Sequence, residues 1–166
     1  MILRPFFDSD AFVIAEWLTD IDTVYKWSAE HIGRFPVNGS DILDLYKSEK
    51  REYPYTIYMT ACDDDRNPVG HLLICFPVED HSYARFRLVI VDSSRRGQGI
   101  GRQMISMALN YSRDYLGVKQ VAMAAMIDNE EAVKCYEKAG FTKIGCPIKR
   151  LINGKEFELN EFIINI

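Results

Sequence analysis

The sequence predicts a single α/β (α+β) domain over residues 1–166, a mixed sheet flanked by helices. Three observations carry that reading. Helical patterns dominate as far as about residue 50. Three strand-like segments joined by short turns fill residues 55–91. The chain then alternates helix, strand and helix before two final strands.

Residues 2–4 read as a short strand that Pro5 cuts off. Asp8 is the expected N-cap of a helix running through Leu18, with Phe12, Ala15, Trp17 and Leu18 apolar and Asp10 in the first turn. Residues 20–39 read as irregular and aromatic (Tyr25, Trp27, His31, Phe35). Ser40 is the expected cap of a second helix reaching about Lys50. Tyr55–Cys62 and Val69–Val78 read as strands around the turn at residues 63–68, and Glu79–Ser82 turns the chain again. In the strand Tyr83–Val91 a period of two puts Arg85, Arg87, Val89 and Val91 on one face, with Phe86, Leu88 and Ile90 on the other. Residues 99–116 place Ile100, Met104, Met107, Ala108, Tyr111 and Tyr115 at helical spacing. Val118–Ile127 reads as a strand, and Asn129 caps a short helix ending at Gly140. Residues 142–165 form two strands around an Asn153-Gly154 turn; the last strand, Phe157–Ile164, is the expected sheet edge and a possible homodimer surface.

Composition narrows the function. Twenty Lys and Arg against 24 Asp and Glu give a formal charge of −4, which argues against nucleic acid as a partner. No apolar run is long enough to span a membrane, and the N-terminal residues do not resemble a secretion signal. The four cysteines (Cys62, Cys75, Cys135, Cys146) form no C-x-x-C pair and only three histidines are present, so no metal site is expected. Free thiols fit a cytoplasmic location.

The segment from Leu88 to Arg102 carries the chemistry. An apolar strand runs into a basic, glycine-rich turn, and a helix starts there. Gly97, Gly99 and Gly101 let backbone approach a ligand, and the unpaired N–H groups of the first helical turn attract an anion such as a pyrophosphate. Arg95, Arg96 and Arg102 add charge. The P-loop pattern is absent, because no Lys-Ser or Lys-Thr follows these glycines. The dinucleotide pattern G-x-G-x-x-G is absent too, since the glycines run G-x-G-x-G.

Arg96-x-x-Gly99-x-Gly101 after a strand ending Val-Ile-Val-Asp resembles the acyl-CoA-binding motif of the GNAT N-acyltransferase superfamily. Asn129-Glu-Glu-Ala132-Val-Lys-Cys-Tyr136-Glu-Lys-Ala-Gly140-Phe141 resembles its N-x-x-A-x-x-x-Y-x-x-x-G-F signature. The likeness covers roughly residues 69–145, and Ser93 departs from a position where the family often has Pro. The resemblance implies a sheet splayed at a CoA wedge, with acetyl-CoA as acyl donor and no metal. The backbone of Val89 and Val91 would bond the pantetheine arm, and the turn Arg96, Gly97, Gln98, Gly99, Ile100, Gly101 and Arg102 would hold the pyrophosphate. Asn129 would contact the cofactor, and Tyr136 would be the general acid.

The base has no clear candidate; Glu79, Asp80, His81 and His31 qualify by residue type only, and water can serve instead. Trp27, His31, Arg85 and Arg87 are the expected acceptor-binding residues. If Val89 lines the acyl site, the arginines share its face and would suit an acidic acceptor; equally, they could pair with local acids. The leading expectation is transfer of acetyl to a primary amine of a small molecule. A protein N-terminus as acceptor, or a silent acyl-CoA-binding module, are the alternatives.

Overall fold

The chain, seen in a computed structural model, is described at residues 1–166 apart from 30, 78–80 and 153. Strand β1 (Ile2–Pro5) leads into helices α1 (Asp10–Glu16), α2 (Ile21–Ser28) and α3 (Gly39–Glu52). Strands β2 (Thr56–Cys62), β3 (Pro68–Cys75) and β4 (Tyr83–Val91) follow. Then come α4 (Ile100–Leu116), β5 (Gln120–Met126), α5 (Glu130–Lys138), β6 (Thr142–Ile152) and β7 (Lys155–Asn165). The strands make one sheet in the order β1-β2-β3-β4-β5-β7-β6. Among the described strands, only β4 and β5 pair in parallel.

Helices cover both faces. On one, Met104, Ile105 and Ala108 of α4 and Tyr136 of α5 pack over Leu72, Phe86, Met123 and Phe162. On the other, Ile14, Val24, Trp27 and Ile42 from α1–α3 cover Leu73, Cys75, Leu88 and Ile90. Each large side chain buried this way contributes about 1.5–3 kcal/mol.

The N-terminal caps differ from expectation. Asp8 does not cap α1, and Ser9 precedes it without a side-chain bond. Asp10 instead turns inward, accepts the Phe7 N–H and the Thr60 hydroxyl, and pairs with Arg4 at 2.7 Å. Residues 21–28 are helical rather than irregular, because Asp20 accepts the Thr23 N–H and starts α2. Asn38, not Ser40, caps α3, in a reciprocal pairing with Asp41. The predicted strand end at Val78 and the turn residues Glu79, Asp80 and Asn153 lie outside the described residues. The last strand is not an edge: β7 sits between β5 and β6, and the sheet ends at β1 on one side and at the exposed β6 on the other.

The largest departure lies inside β4. Arg85, Phe86 and Arg87 pair with Cys75, Ile74 and Leu73, whereas Ile90 and Val91 pair with His71 and Gly70. One extra residue therefore sits on β4 opposite Leu72, and Leu88 adopts φ +47°. This is a β-bulge, and a left-handed leucine costs roughly 1–2 kcal/mol. The extra residue exchanges the faces beyond it. Ala84 and Phe86 are buried under α4, Leu88 and Ile90 under α1–α3, and Val89 and Val91 turn toward the α4 side. Arg85 and Arg87 therefore do not share a face with Val89, contrary to the period-two expectation.

Candidate active site

The bulge lies where β4 leaves its parallel neighbour. Pairing with β5 holds only from Tyr83–Gln120 to Arg85–Ala122, although both strands run on. Beyond it the sheet is split, and a cleft of about 790 Å³ is lined by β4, α2, the turn after β4, and α4 and α5. Val89 and Val91 line it from β4, and Asn129 and Tyr136 from the start and core of α5. Trp27 lines it from α2.

The turn after β4 forms the mouth of the cleft. A 3₁₀ turn at Ser93–Arg95 is capped by Asp92, whose carboxylate accepts the Ser94 N–H. Gly97 (φ +76°) and Gly99 (φ +80°) require the left-handed region, and a Cβ on either would meet nothing within 4 Å. Their absent side chains leave the approach to the α4 N-terminus open. Gly101 has a different reason: a Cβ there would sit 3.2 Å from Cys135 Sγ and 3.4 Å from Val91, so glycine lets α4 pack close to α5 and β4. Arg96, Gly97, Gly99, Ile100, Gly101 and Arg102 all line the cleft, and Gln98 does not.

The three arginines divide. Arg95 is pinned by Asp63 at 2.8 Å and Asp92 at 3.6 Å, so it braces the turn instead of adding free charge. Arg96 and Arg102 are exposed and have no ion-pair partner among the described residues. With the first-turn N–H groups of α4 they concentrate positive potential at the mouth of the cleft.

Asn129 caps α5, its side chain accepting the Ala132 N–H at 3.3 Å. Tyr136 is buried, edge-on to Phe162 at 5.7 Å and tilted against Phe141. Burial holds its phenol well above the usual tyrosine value, so it stays protonated and able to donate.

The other expected acceptor residues stand apart. Arg87 pairs with buried Glu49 of α3 at 3.1 Å and stacks on Tyr53. His31 lies 3.9 Å from the same carboxylate and lines a smaller pocket of about 270 Å³. Arg85 pairs with Glu161 of β7 at 2.9 Å. None of the three lines the cleft. Among the suggested bases, His81 packs tilted against Phe76, and Glu79 and Asp80 lie outside the described residues.

Sequence reasoning missed the acidic end of the cleft. Asp22 and Lys26 of α2 line it with Asp128, and Lys26 feels Asp22, Asp128 and Asp20 together. The helix α2 was the unread element, and its Asp20 cap was the signal available.

The site is thus a parallel strand pair that parts beside a glycine-rich turn, with a buried phenol lining the cleft. Residues 16–141 match the Acetyltransferase (GNAT) family, and the chain belongs to that family as an N-acetyltransferase. It is 32% identical over 119 residues to acetyltransferase Atu2258 of Agrobacterium fabrum, covering 70% of this chain and 78% of that one. It is 29% identical over 103 residues to spermidine N(1)-acetyltransferase of Vibrio cholerae, spanning 61% of this chain and 59% of that protein. The crystal structure of spermidine N-acetyltransferase from Vibrio cholerae in complex with CoA and spermine shares the fold, with TM-score 0.79 and 22% identity over 99% of this chain and 94% of that one.

Proposed function

We propose that the cleft takes acetyl-CoA and passes its acetyl group directly to a primary amine of a small, cationic molecule of the polyamine class. The observation that carries this is the split between β4 and β5, with an anion site at its mouth and a protonated phenol inside. Arg96, Arg102 and the N–H groups of the turn would hold the pyrophosphate, and the backbone of Val89 and Val91 the pantetheine arm. The amine lone pair attacks the thioester carbonyl, a C–N bond forms and the C–S bond breaks. Tyr136 gives its proton to the departing thiolate. The proton shed by the attacking nitrogen leaves to water, and the Tyr136 phenolate takes one back through solvent, so the proton count balances. No described side chain in the cleft stands out as a base.

Two observations favour a cationic acceptor. Asp22 and Asp128 line the α2 side of the cleft with a single lysine, Lys26, which pairs with Asp22 at 2.8 Å, so that side carries one more carboxylate than ammonium. Arg85 and Arg87, which would have selected an acid, are already paired with Glu161 and Glu49. The relatives named for spermidine acetylation point the same way. The fold has no described helix long and apolar enough to cross a membrane, and its described cysteines are free, which supports a cytoplasmic enzyme.

Calorimetry with acetyl-CoA tests the donor. Arg96→Ala with Arg102→Ala should weaken binding without touching the left-handed glycine backbone, and Gly99→Glu should abolish it. An amine panel tests the acceptor: polyamines should be turned over faster than acidic amines, and the reverse order would overturn this reading. Tyr136→Phe should lower kcat by about 100-fold or more while CoA affinity holds; an unchanged kcat would remove Tyr136 from the mechanism.

A further inference from the structure

We propose that Trp27 is a positioning residue for acyl transfer: its indole holds the bulged Leu88–Val89 peptide in the orientation from which β4 presents its backbone to the thioester arm. This rests on the acyl-donor reading of the cleft given above.

The bulge creates a problem that the strand ladder cannot solve. Two residues of β4 face one residue of β3, so one peptide loses its regular partners. The Leu88 carbonyl is in this position and is buried. Its partner comes from a helix 61 residues earlier: the Trp27 indole N–H donates to it at 2.9 Å. A buried carbonyl left without a donor is costly, so the indole and the bulge need each other.

A peptide unit is rigid and planar, with its C=O and N–H pointing in opposite directions. Fixing the Leu88 carbonyl therefore fixes the Val89 N–H. Val89 lines the cleft, at the level where β4 parts from β5. The orientation of this peptide is not self-maintaining, because Leu88 sits at φ +47° with a side chain that resists that conformation. Reactions between bound partners are sensitive to displacements of about 1 Å, so a released peptide would be felt in turnover.

Trp27 also lines the cleft itself, beside Asp22 and Lys26 of the same helix. The helix that forms the acceptor wall thus grips the strand that would hold the donor. Simple packing does not account for this: a phenylalanine would fill apolar space, whereas the single polar atom of the indole donates to a buried carbonyl of the bulge.

The test replaces the N–H and keeps the ring. Trp27→Phe removes the donor. Site-specific β-(3-benzothienyl)alanine at position 27 keeps the full indole shape with sulfur in place of N–H, and covers the case in which the phenylalanine variant fails to fold. Turnover of acetyl-CoA with spermidine, CoA affinity by calorimetry, and the Leu88 carbonyl and Val89 amide chemical shifts are read together. The expected result is a kcat at least tenfold lower, CoA affinity within about threefold of wild type, and displaced shifts at Leu88 and Val89. Wild-type kcat in the folded variants, or unmoved shifts at those two nuclei, would overturn the proposal. So would parallel loss of CoA affinity and turnover, since that reports general damage. Failure of the wild-type protein to acetylate any amine would instead strike the underlying reading, while the shift measurement would still report on the peptide.

Discussion

The two faces of the sheet are built from different materials. Under α4 and α5, the side that carries the glycine-rich turn, the core is apolar side chains packed against one another, and Gly101 lets the helices come close. Under α1–α3 the sheet buries Asp10, Glu49 and His71 among aromatic rings. The first face achieves its geometry with backbone and close packing. The second depends on matched charges, so single substitutions there strand a partner inside the protein. The bulge in β4 ties the two, because it hands Leu88 and Ile90 to the polar face and Val89 and Val91 to the cleft side.

The sharpest break in this comparison is Arg87→Leu. It leaves Glu49, 1% exposed, without its guanidinium, and should cost about 3–5 kcal/mol in denaturant unfolding. Replacing both partners, Arg87→Met with Glu49→Leu, should recover most of that loss. A single variant as stable as wild type would show that the pair does not govern this face.

The next effect is one of pH. His71 is wholly buried, stacked on Tyr46 and edge-on to Phe6, with neither ring nitrogen hydrogen-bonded among the described residues. Burial lowers its pKa from 6.5 to about 3. The folded protein keeps it neutral while the unfolded chain takes up a proton below 6.5. Its contribution is therefore fully present above pH 6.5 and is lost as pH falls toward 3, by up to about 1.4 kcal/mol per unit. Asp10, held down by Arg4 and by the Phe7 and Thr60 donors against the cost of burial, loses its contribution only below the ordinary carboxylate range. Glu49, raised by burial, runs in the opposite sense. Unfolding free energies of wild type and His71→Phe should therefore diverge between pH 7 and 4.5, with the variant flatter. Parallel curves would count against a neutral His71.

How much of this was legible in the sequence follows the same division. Motifs made of backbone-determining residues could be read directly: Gly97, Gly99 and Gly101 placed the turn, and Asn129 and Gly140 bounded α5 where the structure has it. The second face could not. Arg87 meets Glu49 across 38 residues and Arg85 meets Glu161 across 76, and no local spacing encodes such pairs. The bulge was hidden for a particular reason. Burial still alternates along β4 with a period of two, but the buried residues change sides at Leu88, a residue type that signals no left-handed backbone. The α2 helix was lost because its aromatic residues obscured a cap, Asp20, that was present.

The cofactor face yields smaller effects. Gly99→Ala should cost about 1–2 kcal/mol from its φ of +80° alone, since a Cβ there meets nothing, and thermal unfolding measures it. Smaller still is the response to salt, and it separates the faces most cleanly. Arg96 and Arg102 are exposed and unpaired among the described residues, so their attraction for a pyrophosphate is open to screening. The screening length shrinks from about 10 Å at 0.1 M to about 3 Å at 1 M. The KM for acetyl-CoA should rise a few-fold over that range, and the rise should flatten in the Arg96→Ala, Arg102→Ala variant. The Glu49–Arg87 pair is sealed from solvent on its carboxylate side, so the stability difference between wild type and Arg87→Leu should hardly move over the same range. A KM indifferent to salt would mean that backbone N–H groups hold the anion and the two arginines do not.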